Sequence, residues 1–155
     1  RTQQIEAFDE QLQWALEYKM PVVIHSRNAH REIVDTLYKY KDAGLSGVFH
    51  CFCGTPEEAE ELLQFENFYL GIGGVLTFKK STLPSAVQEI PMSRLLVETD
   101  SPYLAPVPHR GKRNESSYVL DTLKALAAYK GMTLEEAAEI TTNNAEKLFA
   151  GLKSG

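Results

Sequence analysis

Four short apolar runs constrain this chain more than any other feature. PVVIHS, GVFHCF, NFYLGIGGV and RLLVETD are each rich in Val, Ile, Leu and Phe. A strand with one wet face alternates apolar and polar residues, whereas a strand covered on both faces reads as a nearly continuous apolar run. The stretches between the runs have helical period. Ile5, Phe8, Leu12, Ala15 and Leu16 repeat at helical spacing up to Pro21, and Ile33, Val34, Leu37 and Tyr38 do so up to Gly44. TPEEAEELLQF opens with Thr55 as N-cap, Pro56 at the first helical position and Glu58 three residues after the cap, a capping box. A further short helix is expected after Pro84. Buried strands alternating with helices predict an α/β fold with a parallel sheet.

After the fourth run the pattern changes. SPYLAPVPHRGKRNESS is a long loop rich in Pro and charge. One helix then runs through Val119, Leu120, Leu123 and Leu126, and another starts at the box of Thr133 and Glu136 and reaches about Phe149. The length, 155 residues, suits a single domain over 1–155 with a real core. The net charge of -5 provides no general basic field, so nucleic-acid binding would need a local patch. No apolar run reaches about 18 residues, and no membrane span is expected. Cys51 and Cys53 read as reduced thiols of a cytoplasmic protein. On an extended strand two such residues share a face, with Cα atoms near the upper limit for a disulfide. With no second Cys pair, a structural zinc site is not expected.

The chemistry-bearing residues fall at strand ends. His25 closes the first run and His50 the second, 25 residues later, about one strand-helix unit. Asp100 closes the fourth. In a parallel α/β sheet the C-terminal strand ends share one face, and that face carries the site. Two imidazoles and a carboxylate there suit a divalent cation. Taken singly, each has a plainer role: a hydrogen-bonded rim histidine, or an aspartate that forms the turn with Ser101 and Pro102. Glu98 shares the face of Asp100 by strand alternation, which suits a group supporting the ligands or an acid of the barrel interior rather than a ligand. The loop HRGKRNE is either a solvated charge run or a phosphate clamp, since an arginine fork matches phosphate oxygens. Arg27 either faces the same mouth or starts a surface helix. GIGG lacks the spacing of a dinucleotide fingerprint and is explained by close packing at a strand end.

PVVIHSR, GVFHCF-x-G, LLVETDSPYLAP and RGKRNE, in this order, closely resemble the TatD-like metal-dependent hydrolases of the amidohydrolase superfamily. The resemblance implies a distorted TIM barrel, of which this chain matches the C-terminal part, with about four parallel strands plus terminal helices. It implies a hydrolase acting on DNA or another phosphodiester through a divalent metal ion (Mg, Mn or Zn) and a metal-activated water. Such enzymes are usually described as deoxyribonucleases with 3'-to-5' exonuclease character. The family's late-strand histidine ligands fall on His25 and His50, and its aspartate, ligand and general base, on Asp100. Its basic loop falls on Arg110, Lys112, Arg113 and Asn114. Some relatives are labelled D-aminoacyl-tRNA deacylases, so an amide or ester hydrolase is the alternative chemistry.

Three departures stand out. The family opens with a His-x-His pair and an early glutamate, and neither is present; four strands do not close an eight-stranded barrel of about 250 residues. The chain is therefore expected to be part of a longer protein, or to pair with a missing barrel half or a second copy through exposed edges and faces. An inactive half-barrel serving as a binding or assembly module is the non-enzymatic alternative. Cys53 stands where the family commonly has Ser, and Ser116 where it usually has Pro.

Overall fold

A computed structural model describes residues 2–25, 29–98 and 119–153. Within these, four parallel strands, β1 (Val22–Ile24), β2 (Gly47–Phe49), β3 (Phe68–Ile72) and β4 (Leu95–Val97), form one sheet in the order β1-β2-β3-β4. Six helices accompany them: α1 (Thr2–Tyr18), α2 (His30–Tyr38), α3 (Pro56–Leu63), α4 (Leu83–Glu89), α5 (Val119–Lys130) and α6 (Leu134–Lys153). The ladder is in register from base to tip: Val22 lies beside Gly47, Gly47 beside Phe68, and Leu70 beside Leu95. Sequential order with a helix between neighbouring strands is the arrangement expected for part of a (β/α)8 barrel.

Strand alternation divides the side chains between two layers. Val22, Ile24, Phe49, Phe68, Leu70, Ile72 and Leu95 face the helices and join one core with Leu12, Leu37, Leu62, Leu83 and Val87. Val48, Tyr69 and Leu96 lie on the other face. There they pack with Leu148 and Ala145 of α6, so the part of this face over β2–β4 is covered rather than open as the sequence suggested. Val23 keeps the open character expected of an edge; it is 46% exposed. At the opposite side Asn144, buried on α6, donates from Nδ2 to the carbonyls of Met92 and Leu95, both at 2.8 Å. These bonds occupy acceptors at the base of β4 that burial would otherwise strand, at a cost of about 1–3 kcal/mol per unpaired group.

Local chemistry explains most boundaries. Thr55 Oγ1 accepts from the Glu58 N–H at 3.1 Å, and Glu58 Oε1 accepts from the Thr55 N–H at 2.9 Å, the reciprocal cap read from the sequence. The Thr133–Glu136 pair does the same before α6. Each such cap stabilises its helix by about 1 kcal/mol. Arg94, just before β4, donates to the carbonyls of Phe68, Leu63 and Phe65 and ties the base of β3 to the end of α3. Burial there pulls its guanidinium below its ordinary value.

Three expectations need correction. The second helical stretch ends at Tyr38, not at Gly44; residues 39–44 form turns, and Gly44 takes a φ of +83° at their close. The third strand ends at Ile72, and Gly74–Thr77 turn into a 3-10 segment instead of extending it. Cys51 and Cys53 do not share a strand, because β2 stops at Phe49 and Cys51 turns with φ +50°.

Candidate metal centre

The alternation that sorts the layers also builds the site. Val23, Val48, Tyr69 and Leu96 face away from the main helix layer, so the residues two further on, His25, His50, Gly71 and Glu98, have the same parity at the strand tips. The rings of His25 and His50 meet edge to face, 4.8 Å between centroids with planes at 75°. The backbone N–H of His50 donates to Ile24 at 2.8 Å, and that of Glu98 to Ile72 at 2.9 Å, so the parallel ladder still holds where these residues project.

Glu98 crosses the sheet. Its Oε2 lies 2.8 Å from His50 Nδ1, although β3 separates the strands that carry them. The crossing is possible because β3 presents Gly71 between them. A Cβ at Gly71 would overlap the Glu98 carboxylate. Glu98 Oε1 also accepts from the Cys51 N–H at 2.5 Å. One carboxylate therefore orients the His50 ring and pins the turn that follows it.

This has a chemical consequence. A carboxylate accepts and does not donate, so Nδ1 of neutral His50 carries the proton and Nε2 keeps its lone pair. A histidine whose second nitrogen is engaged by a carboxylate is the usual form of a metal-ligating imidazole. His50, Cys51 and Glu98 offer ligand atoms within 4.8 Å of one another. Both Glu98 oxygens are already engaged within this group, which suits a residue that positions the ligand nitrogen. The donor set fits a divalent ion held by nitrogen at this rim.

His25 stands on less supported ground. β1 is the sheet edge, and beside it opens a cleft of about 420 Å³ lined by Ile5, Phe8, Val23, His25 and Ile33 among others. α2, the next described element along the chain, is tied to α3 by surface charges. Arg31 bonds Glu61 at 2.5 Å, and His30 Nε2 lies 3.3 Å from the same carboxylate. Arg31 first, and His30 second, hold the Glu61 carboxyl below its ordinary range.

Of the residues singled out from sequence, the structure brings His25 and His50 together. Asp100, Arg27, Arg110, Lys112, Arg113 and Asn114 lie outside the described residues. Two contributors escaped the sequence reading. Gly71 was visible as part of GIGG, but the close neighbour that requires it is a side chain from another strand. Cys51 was visible only as half of a C-x-C pair, and the turn that brings its sulfur beside His50 has no local signature. Among the described residues no helix is long and apolar enough to cross a membrane.

Comparison with known proteins bears on the family and the fold. A family model described as TatD related DNase matches residues 1–150. The chain is 46% identical over 147 residues to the uncharacterized metal-dependent hydrolase YabD of Bacillus subtilis, covering 94% of this chain and 57% of YabD. It is 38% identical over 154 residues to the 3'-5' ssDNA/RNA exonuclease TatD of Citrobacter rodentium, covering 94% and 57%. The crystal structure of YJJV, a TatD homolog from Escherichia coli K12, superposes with a TM-score of 0.84 at 29% identity, over 92% of this chain and 54% of that one. The chain thus spans a little over half the length of these relatives, and its sheet corresponds to part of their TIM barrel.

Proposed function

Since the chain belongs to the TatD-related DNase family, we propose that it carries part of the site of a divalent-metal-dependent hydrolase whose substrate is a nucleic-acid phosphodiester. The observation that carries this reading is the Glu98–His50 pair, which leaves Nε2 as a lone-pair donor beside the ring of His25. A divalent ion bound at such a rim acidifies a water and polarises a phosphoryl oxygen.

The chain's own residues have distinct tasks in this reading. His50 and His25 supply nitrogen ligands, and Glu98 keeps the His50 ring turned with Nε2 outward. Asp100, two residues beyond Glu98, is a further ligand of this part of the site and would accept the proton of the attacking water. Arg27, Arg110, Lys112, Arg113 and Asn114 bind the phosphate oxygens and hold the strand. A phosphodiester carries the negative charge such cations match, and an uncharged amide does not. The relative named as an ssDNA/RNA exonuclease supports the same substrate class.

The test is cleavage of single-stranded DNA, and of a small chromogenic phosphodiester, by chelator-stripped protein supplied with Mg, Mn or Zn. Restored cleavage that His50→Ala abolishes is the expected result. Folded protein that binds an ion yet cleaves neither substrate with any of the three would contradict the reading. Arg113→Ala should raise KM for DNA more than for the small substrate; an equal effect on both would remove the polynucleotide clamp.

A further inference from the structure

Cys51 occupies an unusual place for a thiol. The residue follows His50 directly, yet its backbone turns to φ +50°, a region that side chains other than those of Gly, Asn and Asp seldom adopt. Its N–H is fixed to Glu98 Oε1. The turn brings Sγ to 3.4 Å from His50 Nε2, the nitrogen that Glu98 leaves unprotonated. Cys53, two residues on, is exposed.

That separation has a second meaning. A thiolate and an imidazole bound to one zinc ion, at about 2.3 and 2.0–2.1 Å, lie about 3.5 Å apart at a tetrahedral angle. The sulfur and Nε2 are at this spacing with the imidazole already oriented as a ligand. Sulfur is a soft donor that favours zinc-class ions, whereas magnesium and manganese favour oxygen.

We propose that Cys51 Sγ joins His50 Nε2 as a ligand, making this a thiophilic site selective for a zinc-class cation over magnesium or manganese. The inference rests on the metal-hydrolase reading and adds to it the ligand that chooses the metal. Cys51 surrenders its thiol proton to solvent when the ion binds, and no other bond is made or broken. In the metal-free protein the same S–H donates to Nε2, which gives the observed contact.

The experiment is cobalt(II) titration of the chelator-stripped protein, read by absorption, with zinc and magnesium affinities measured in parallel. The parent protein and Cys53→Ser should both show a sulfur-to-cobalt charge-transfer band in the near ultraviolet beside the visible ligand-field bands. Cys51→Ser should lose the charge-transfer band, keep ligand-field bands, and bind zinc at least ~10-fold more weakly, with magnesium affinity within about 2-fold. Ligand-field bands without a charge-transfer band in the parent, or metal preferences that Cys51→Ser leaves unchanged, would overturn the thiolate ligand and leave the histidine site standing. A band lost in Cys53→Ser rather than Cys51→Ser would also overturn it. If cobalt produces no ligand-field bands in the folded parent, the metal-hydrolase reading fails together with the inference.

Discussion

His50 follows β2 in the interior of the sheet, and its ring is held at Nδ1 by a carboxylate from two strands away. His25 follows β1 at the sheet edge, and among the described residues its ring meets the ring of His50 without a carboxylate of its own. The two residues have the same type, the same position relative to their strands and the same parity. What differs is the neighbourhood: His50 has a strand on each side, one carrying a glycine gap, whereas His25 has open sheet edge and a cleft. A strand tip decides where a histidine projects, and the strands around it decide which nitrogen it offers.

The gap is the point at which that difference breaks most easily. Gly71→Val places a branched side chain where the Glu98 carboxylate lies. Overpacking of this kind costs about 1–3 kcal/mol. Releasing His50 from its carboxylate should weaken metal binding by roughly 10- to 100-fold. Calorimetric titration beside thermal unfolding separates the two effects. Unchanged metal affinity in a folded Gly71→Val protein would mean that Glu98 does not need the gap.

The helix that follows His25 should loosen in acid. This helix, α2, is tied to α3 through Glu61, whose carboxyl is depressed chiefly by Arg31. A depressed carboxyl contributes stability that is present above its unfolded value and is lost as pH falls through the folded one. The pair is exposed, so the effect is small. Amide exchange in α2 should rise below the ordinary carboxylate range and do so less in Glu61→Gln, which starts without the tie. Parallel exchange in the two proteins at every pH would show that the ion pair does not hold α2.

Much of this was legible locally. The strand runs, the Thr55–Glu58 cap and the projection of both histidines at strand tips follow from period 2, period 3.6 and cap chemistry, each confined to a few residues. Alternation also put Glu98 on the histidine side. Its partner was not legible, because the contact depends on the order β2-β3-β4 and on a glycine in the middle strand, three segments that no local window spans. The turn at Cys51 escaped for a similar reason: the bond fixing it comes from Glu98, 47 residues away. The covering of Val48 and Leu96 by Leu148 likewise joins distant parts of the chain, so the sheet face looked barer in sequence than it is.

Glu98, reaching over Gly71, fixes which nitrogen of His50 carries the proton. Long-range proton–nitrogen correlation spectra of the metal-free protein, labelled at histidine, measure this directly at a pH where the ring is neutral. His50 should show a protonated Nδ1 and an unprotonated Nε2. In Glu98→Gln the amide can present an N–H to Nδ1, and the tautomer should shift towards protonated Nε2. A His50 protonated at Nε2 in the parent protein, or one whose tautomer ignores Glu98→Gln, would show that Glu98 does not set the proton's place.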